Sequence, residues 1–104
     1  MVVEVTNLET LKKGKFLVDF YTATCGPCRV MNPILEEVSR EMPEVQVAKV
    51  EMTRCPDATQ AFGVHCVPTV MLLQDSKVHE VCQGLMSKAN IRSMVQRHFA
   101  PALA

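Results

Sequence analysis

The sequence predicts an α/β domain in which a mixed β-sheet carries helices on both faces. Three observations carry this expectation. Segments of strand character alternate with segments of helical period from the N-terminus onward. One strand-like segment, Phe16–Thr22, is apolar at nearly every position, as a strand buried on both faces must be. Near the C-terminus two strand-like segments are separated only by Asp75-Ser76, so they close as a hairpin before a last helical segment. At 104 residues with 48% hydrophobic content, the chain suits a single domain spanning 1–104 with a core of its own.

Taken in order, Val2–Val5 alternates like a short strand. Thr6-Asn7-Leu8-Glu9 has the T-x-x-E form of a capping box, which predicts a short helix ending near Gly14. The buried strand Phe16–Thr22 follows. Val30, Ile34, Leu35, Val38 and Met42 then repeat at helical spacing, and Pro43 ends the run. Pro33 falls inside this helix, where a kink is expected. Val45–Met52 reads as the next strand. A short helix is expected from Pro56 to near Gly63, with Ala58, Ala61 and Phe62 facing inward. Thr69–Gln74 and Lys77–Gln83 form the hairpin. Beyond Gly84, Ser87 can cap a last helix with Ile91, Met94, Val95 and Phe99 on one face. The order is βαβαβαββα. The early alternation implies parallel strands, and the hairpin adds antiparallel ones.

Composition removes several functions. Eleven basic and eleven acidic residues cancel, so neither nucleic acid nor an anionic membrane surface is an expected partner. No apolar run approaches the roughly 20 residues of a membrane span. The start, MVVEVTNLET, is too acidic and its apolar part too short for a secretory signal, which makes the cytoplasm the expected location. The five cysteines, Cys25, Cys28, Cys55, Cys66 and Cys82, are odd in number and irregularly spaced. Their share lies below the roughly 8–10% of a secreted disulfide scaffold. Redox or metal chemistry is the better expectation.

Cys25-Gly26-Pro27-Cys28 stands at the start of the helical run. The first turn of a helix has unpaired N–H groups and a partial positive charge, and both stabilise a thiolate. Cys28 lies one turn inward on the same face, so the sulfurs can join or separate with little backbone motion. Pro27 suits a first turn, where its missing N–H costs nothing. Gly26 leaves room for another chain to approach Cys25. The pattern describes an exposed nucleophilic thiol, Cys25, and a resolving thiol, Cys28. Asp19 interrupts the buried strand six residues before Cys25. Burial predicts a raised pKa, suited to taking the proton of Cys28, through a water, as that sulfur attacks. The alternative is a strand-end aspartate turned to solvent.

Phe16–Arg29 with Pro33 closely resembles the active-site strand and helix of the thioredoxin family. Phe62–Leu73, with Val67-Pro68-Thr69 at its centre, resembles that family's cis-proline loop. Cys82–Lys88 resembles its glycine turn before the last helix. Element order agrees from Val2 to Phe99. The resemblance implies a five-stranded mixed sheet flanked by four helices, with no bound cofactor. It implies a substrate groove around Cys25 built from Gly26, Pro27, Val67, Pro68, Gln83 and Gly84, in which an incoming strand bonds to the backbone of Val67. Lys49 matches a family lysine near the buried aspartate, and Arg29 a usual basic residue. The implied activity is reduction of protein disulfides through a reversible Cys25–Cys28 disulfide. Electrons would come from NADPH through thioredoxin reductase or another thiol donor, and a monomer is the default.

The chain also departs from that family. Thr24 and Tyr21 stand where tryptophans are usual, and Thr53 where an acidic residue is common. Cys66, two residues before Pro68, is either a small semi-buried side chain or an extra redox thiol. Cys55, Cys82, His65, His79 and His98 need no role. Two other functions remain open at this level: a non-catalytic interaction domain of the same fold, and a metal module. The metal reading lacks a second C-x2-C or H-x3-5-H half-site.

Overall fold

A computed structural model describes residues 1–100. Its elements are β1 (Val3–Val5), a 3₁₀ helix (Leu8–Leu11), β2 (Lys15–Tyr21), α1 (Gly26–Glu41), β3 (Gln46–Glu51), α2 (Pro56–Ala61), β4 (Thr69–Gln74), β5 (Lys77–Gln83) and α3 (Lys88–His98). The sheet runs β1-β3-β2-β4-β5. β1, β3 and β2 are parallel, while β4 is antiparallel to both β2 and β5. The five-stranded mixed sheet is therefore as expected, and β4 and β5 have the expected bounds.

The central strand β2 feeds both cores, because successive side chains on a strand point to opposite faces. Leu17 joins Val47, Val70 and Leu72 against α1 and α3. Phe16, Val18 and Phe20 join Ala48, Val50 and Met71 against the 3₁₀ helix, α2 and Val64. Burial of each such large apolar side chain contributes roughly 1.5–3 kcal/mol. This double coverage fixes the strand's register, since a slip of one residue would exchange the two faces.

Helices account for most departures from expectation. Among the described residues the sheet is flanked by three α-helices, not four. The first expected helix is a single 3₁₀ turn, capped at Asn7 without any side-chain hydrogen bond. The capping box thus does not form, and only Leu11 of that segment is buried. On α1 the buried stripe is Cys28, Met31, Leu35 and Val38, whereas Val30 is 53% exposed. Val30 and Met31 are both apolar, and packing on the sheet selects Met31. On α2 only Ala58 is buried; Ala61 faces solvent, and Phe62 packs edge-on against Phe20. The helix runs unbroken through Pro33. Ser87 caps α3 as expected, its hydroxyl accepting from Asn90 N at 3.1 Å.

Two turns close the sheet's ends. Asp75 (φ 51°) and Ser76 (φ 69°) both occupy the left-handed region, matching the type I′ geometry that suits a two-residue hairpin. This hairpin is bound to the turn before β2: Gly14 N donates to Asp75 Oδ1 and Asp75 N to Gly14 O. At the other end Gly84 has φ 97°, which strains any L side chain, and its N–H donates to Pro68 O at 2.7 Å.

Candidate active site

β2 and β3 run parallel and β4 antiparallel, so the C-terminal ends of β2 and β3 lie beside the start of β4 and the end of β5. Four loops meet at this edge: Thr22–Cys25 after β2, Met52–Cys55 after β3, Cys66–Pro68 before β4, and the turn at Gly84 after β5. Phe20 pairs with Thr69, and Thr69 with Gln83, which brings the predicted groove segments to the end of the sheet that carries the cysteines. The Val67–Pro68 peptide is cis. The last of these loops is also tied to α1, where Met86 N donates to the Met31 sulfur at 3.5 Å.

Cys25 is the N-cap of α1, and its sulfur accepts from Cys28 N at 3.2 Å. Pro27 lies in the first turn, and a Cβ at Gly26 would meet nothing within 4 Å. Cys25 and Cys28 are joined in a disulfide with Cα atoms 5.3 Å apart. The expected exposure of Cys25 is not found: Cys25 is 9% and Cys28 3% exposed. Thr24, Gly26 and Pro27 around the disulfide stay exposed.

Asp19 is fully buried, and neither carboxylate oxygen has a hydrogen-bond partner. The solvent-facing alternative is thus ruled out. Burial pushes its pKa to about 7; the Lys49 charge opposes that rise and Glu4 adds to it. Asp19 sits in a row of cross-strand neighbours, Glu4 on β1, Lys49 on β3 and Val70 on β4. Lys49 does not bond to Asp19. Its ammonium donates to Asn32 Oδ1 at 2.6 Å and lies 4.2 Å from the centre of the Tyr21 ring. Tyr21 in turn donates to both oxygens of Glu4 at 2.9 Å. Burial, followed by this bond, pushes the Tyr21 hydroxyl up to about 12, so it stays a neutral donor. A pocket of about 180 Å³ opens between Ala23, Cys28, Arg29, Asn32 and Lys49.

Glu51 is a site residue that sequence reasoning missed. It is 6% exposed, yet its carboxylate accepts from Ala23 N, Thr53 N, Thr53 Oγ1 and Arg54 N. The Thr53 hydroxyl bond is foremost among the contacts that hold its pKa below the ordinary carboxylate range. One carboxylate thus ties the loop before the nucleophile to the turn after β3. Thr53, where the family commonly has an acidic residue, acts as a donor to it. Glu51→Gln places an amide against backbone donors. It should lower the thermal midpoint at pH 7 and speed amide exchange at Ala23 and Thr53; unchanged exchange there would show that the clasp does not hold the loop.

Cys66 is exposed and unpaired; its carbonyl accepts from Thr69 Oγ1 at 2.7 Å. Cys55 is buried and Cys82 half-buried. Among the described residues no three His, Cys, Asp or Glu side chains converge as metal ligands, and no helix is long and apolar enough to cross a membrane.

The family model for thioredoxin matches residues 3–97. A thioredoxin of Chlamydia muridarum is 33% identical over 90 residues, covering 86% of this chain and 88% of its own. One from Listeria monocytogenes is 30% identical over 102 residues, covering 94% and 99%. Among solved structures, a mutant thioredoxin from Halobacterium salinarum superposes with a TM-score of 0.87 at 25% identity, covering 95% of this chain and 91% of that one. A thioredoxin from Fasciola hepatica gives 0.80 at 27%, covering 92% and 98%. With a disulfide at the N-terminus of α1 and this sheet order beneath it, the chain belongs to the thioredoxin family and is a thiol–disulfide oxidoreductase of the kind that reduces protein disulfides.

Proposed function

We propose that Cys25 is the nucleophile, Cys28 the resolving thiol and Asp19 the proton acceptor. The Cys25 thiolate attacks one sulfur of a substrate disulfide; that bond breaks, and the substrate's other sulfur leaves as a thiolate, which takes a proton from water. Cys28 then loses its proton to Asp19 through a water and attacks Cys25. The second substrate sulfur leaves as a thiolate, which is protonated in turn, and the substrate's disulfide has been exchanged for Cys25–Cys28. The observation that carries this reading is Cys25 at the helix N-cap, its sulfur accepting from Cys28 N, with an unpartnered carboxyl buried in the strand behind it.

Gly26, Pro27, Val67, Pro68 and Gly84 form the surface on which an extended substrate segment lies. Thioredoxin reductase, drawing on NADPH, or another thiol donor regenerates the dithiol. The working unit is a monomer of one domain, 1–104, in the cytoplasm. Exposure of Cys66 makes it a candidate extra redox thiol.

The decisive assay couples NADPH and thioredoxin reductase to reduction of a protein disulfide. NADPH oxidation should require this protein and both Cys25 and Cys28. Failure to turn over any protein disulfide, with either a reductase or a chemical dithiol as donor, would favour a non-catalytic interaction domain.

A further inference from the structure

Asp19 has a lysine as its neighbour on β3, yet its carboxylate has no partner. Cross-strand neighbours on one face lie close enough for a lysine and an aspartate to pair. The Lys49 ammonium is instead directed to α1. Asn32 accepts from it at 2.6 Å, and the Tyr21 ring lies beneath it at 4.2 Å. The Tyr21 ring is itself fixed by its two bonds to Glu4. Lys49 therefore has two competing destinations, the buried carboxylate and the Asn32–Tyr21 cradle, and it occupies the cradle.

We propose that Asn32 is a positioning residue: by holding Lys49 in this cradle it keeps Asp19 without an ionic partner, and so able to take a proton from Cys28. The inference rests on the proton-acceptor role of Asp19. An aspartate already paired with an ammonium a few ångströms away would remain ionised and would be a poor base near neutral pH. Asn32 contributes a neutral acceptor, which attracts the ammonium without adding a charge beside Asp19. The charged groups acting on Asp19 are Lys49 on β3 and Glu4 across it on β1, while β4 presents Val70; Cys28 on α1 lines the same pocket as Lys49 and Asn32. Of these, Lys49 is the one whose position Asn32 sets.

The test is a ¹³C NMR titration of the Asp19 side-chain carboxyl. Asn32 is exposed and alanine is a better helix former, so Asn32→Ala should fold. Released from Asn32, Lys49 turns toward Asp19, and the midpoint falls by about one unit or more. Adding Lys49→Met to Asn32→Ala should abolish that fall. Asn32→Asp, which keeps an oxygen for Lys49, should not produce it. A midpoint in Asn32→Ala equal to that of the parent would overturn the proposal, as would an equal fall in the absence of Lys49. These results read the carboxyl directly. The acceptor role fails separately, if Asp19→Asn leaves the rate of the Cys28 attack unchanged.

Discussion

Cys28→Ser should turn the protein from a catalyst into a trap. Cys25 remains at the helix N-cap and still attacks a substrate disulfide, but the thiol one turn along the helix that would displace it is gone. Intramolecular groups in good alignment act at effective molarities of roughly 10⁵ M or more. The Cys25 and Cys28 α-carbons are 5.3 Å apart on one helix turn, which is such an alignment. Release by millimolar external thiol should therefore be slower by at least about 1,000-fold. Intact-mass measurement under non-reducing conditions should find one substrate chain per protein, attached at Cys25 and removed by excess dithiothreitol. Cys25→Ser should form no such adduct. An adduct formed through Cys28 instead, or no adduct with substrates that the parent reduces, would exchange or remove the roles assigned to the two sulfurs.

Asp19→Asn should have two effects of opposite kind. In the folded protein the carboxyl titrates near 7, against 3.8 for an ordinary aspartate. A raised acid pKa means that the folded state holds its proton after the unfolded chain has lost it. Stability therefore falls as pH rises from about 4 to about 7 and is level above that. At about 1.4 kcal/mol per unit, the penalty carried at pH 8 is on the order of 4 kcal/mol. Asparagine has a similar shape and no charge to bury. The variant should be more stable than the parent at pH 8 in urea unfolding, with that advantage gone by pH 4. Its resolving step should meanwhile slow by roughly a hundredfold near pH 7 and lose its inflection there. A stability difference that did not change between pH 4 and pH 8 would mean that the carboxyl is not held protonated by burial.

How much of this was legible depended on how local the signal was. The CGPC run, the charge inside an apolar strand and Val67-Pro68-Thr69 are short patterns, and the structure places them at or beneath one end of the sheet. The bounds of β4 and β5 were readable because Asp75-Ser76 marks a two-residue turn between β-rich runs. Helix phase was less readable. Val30 and Met31 are equally apolar, and only contact with the sheet decides which is buried. The T-x-x-E box at Thr6 looked complete, but four residues of 3₁₀ helix give it no helix to cap. Glu51 carries no local signal at the end of β3. Its value depends on Ala23, 28 positions away, and on a turn whose shape local residues do not announce. The Asn32–Lys49 bond also joins residues 17 positions apart. Cys25 was expected to be exposed because it opens a helix with Gly26 leaving room beside it; its burial at 9% depends on the folded surroundings, which no local pattern announces.

The turns that clasp each other at Gly14 and Asp75 lie at the far end of the molecule from the cysteines. The six residues of β4 separate the two poles, a span of roughly 20 Å. That pole offers an attachment point for a dye, a surface linker or a fused module, leaving the opposite face open to incoming proteins. A sensor built on this scaffold would best carry its reporter there.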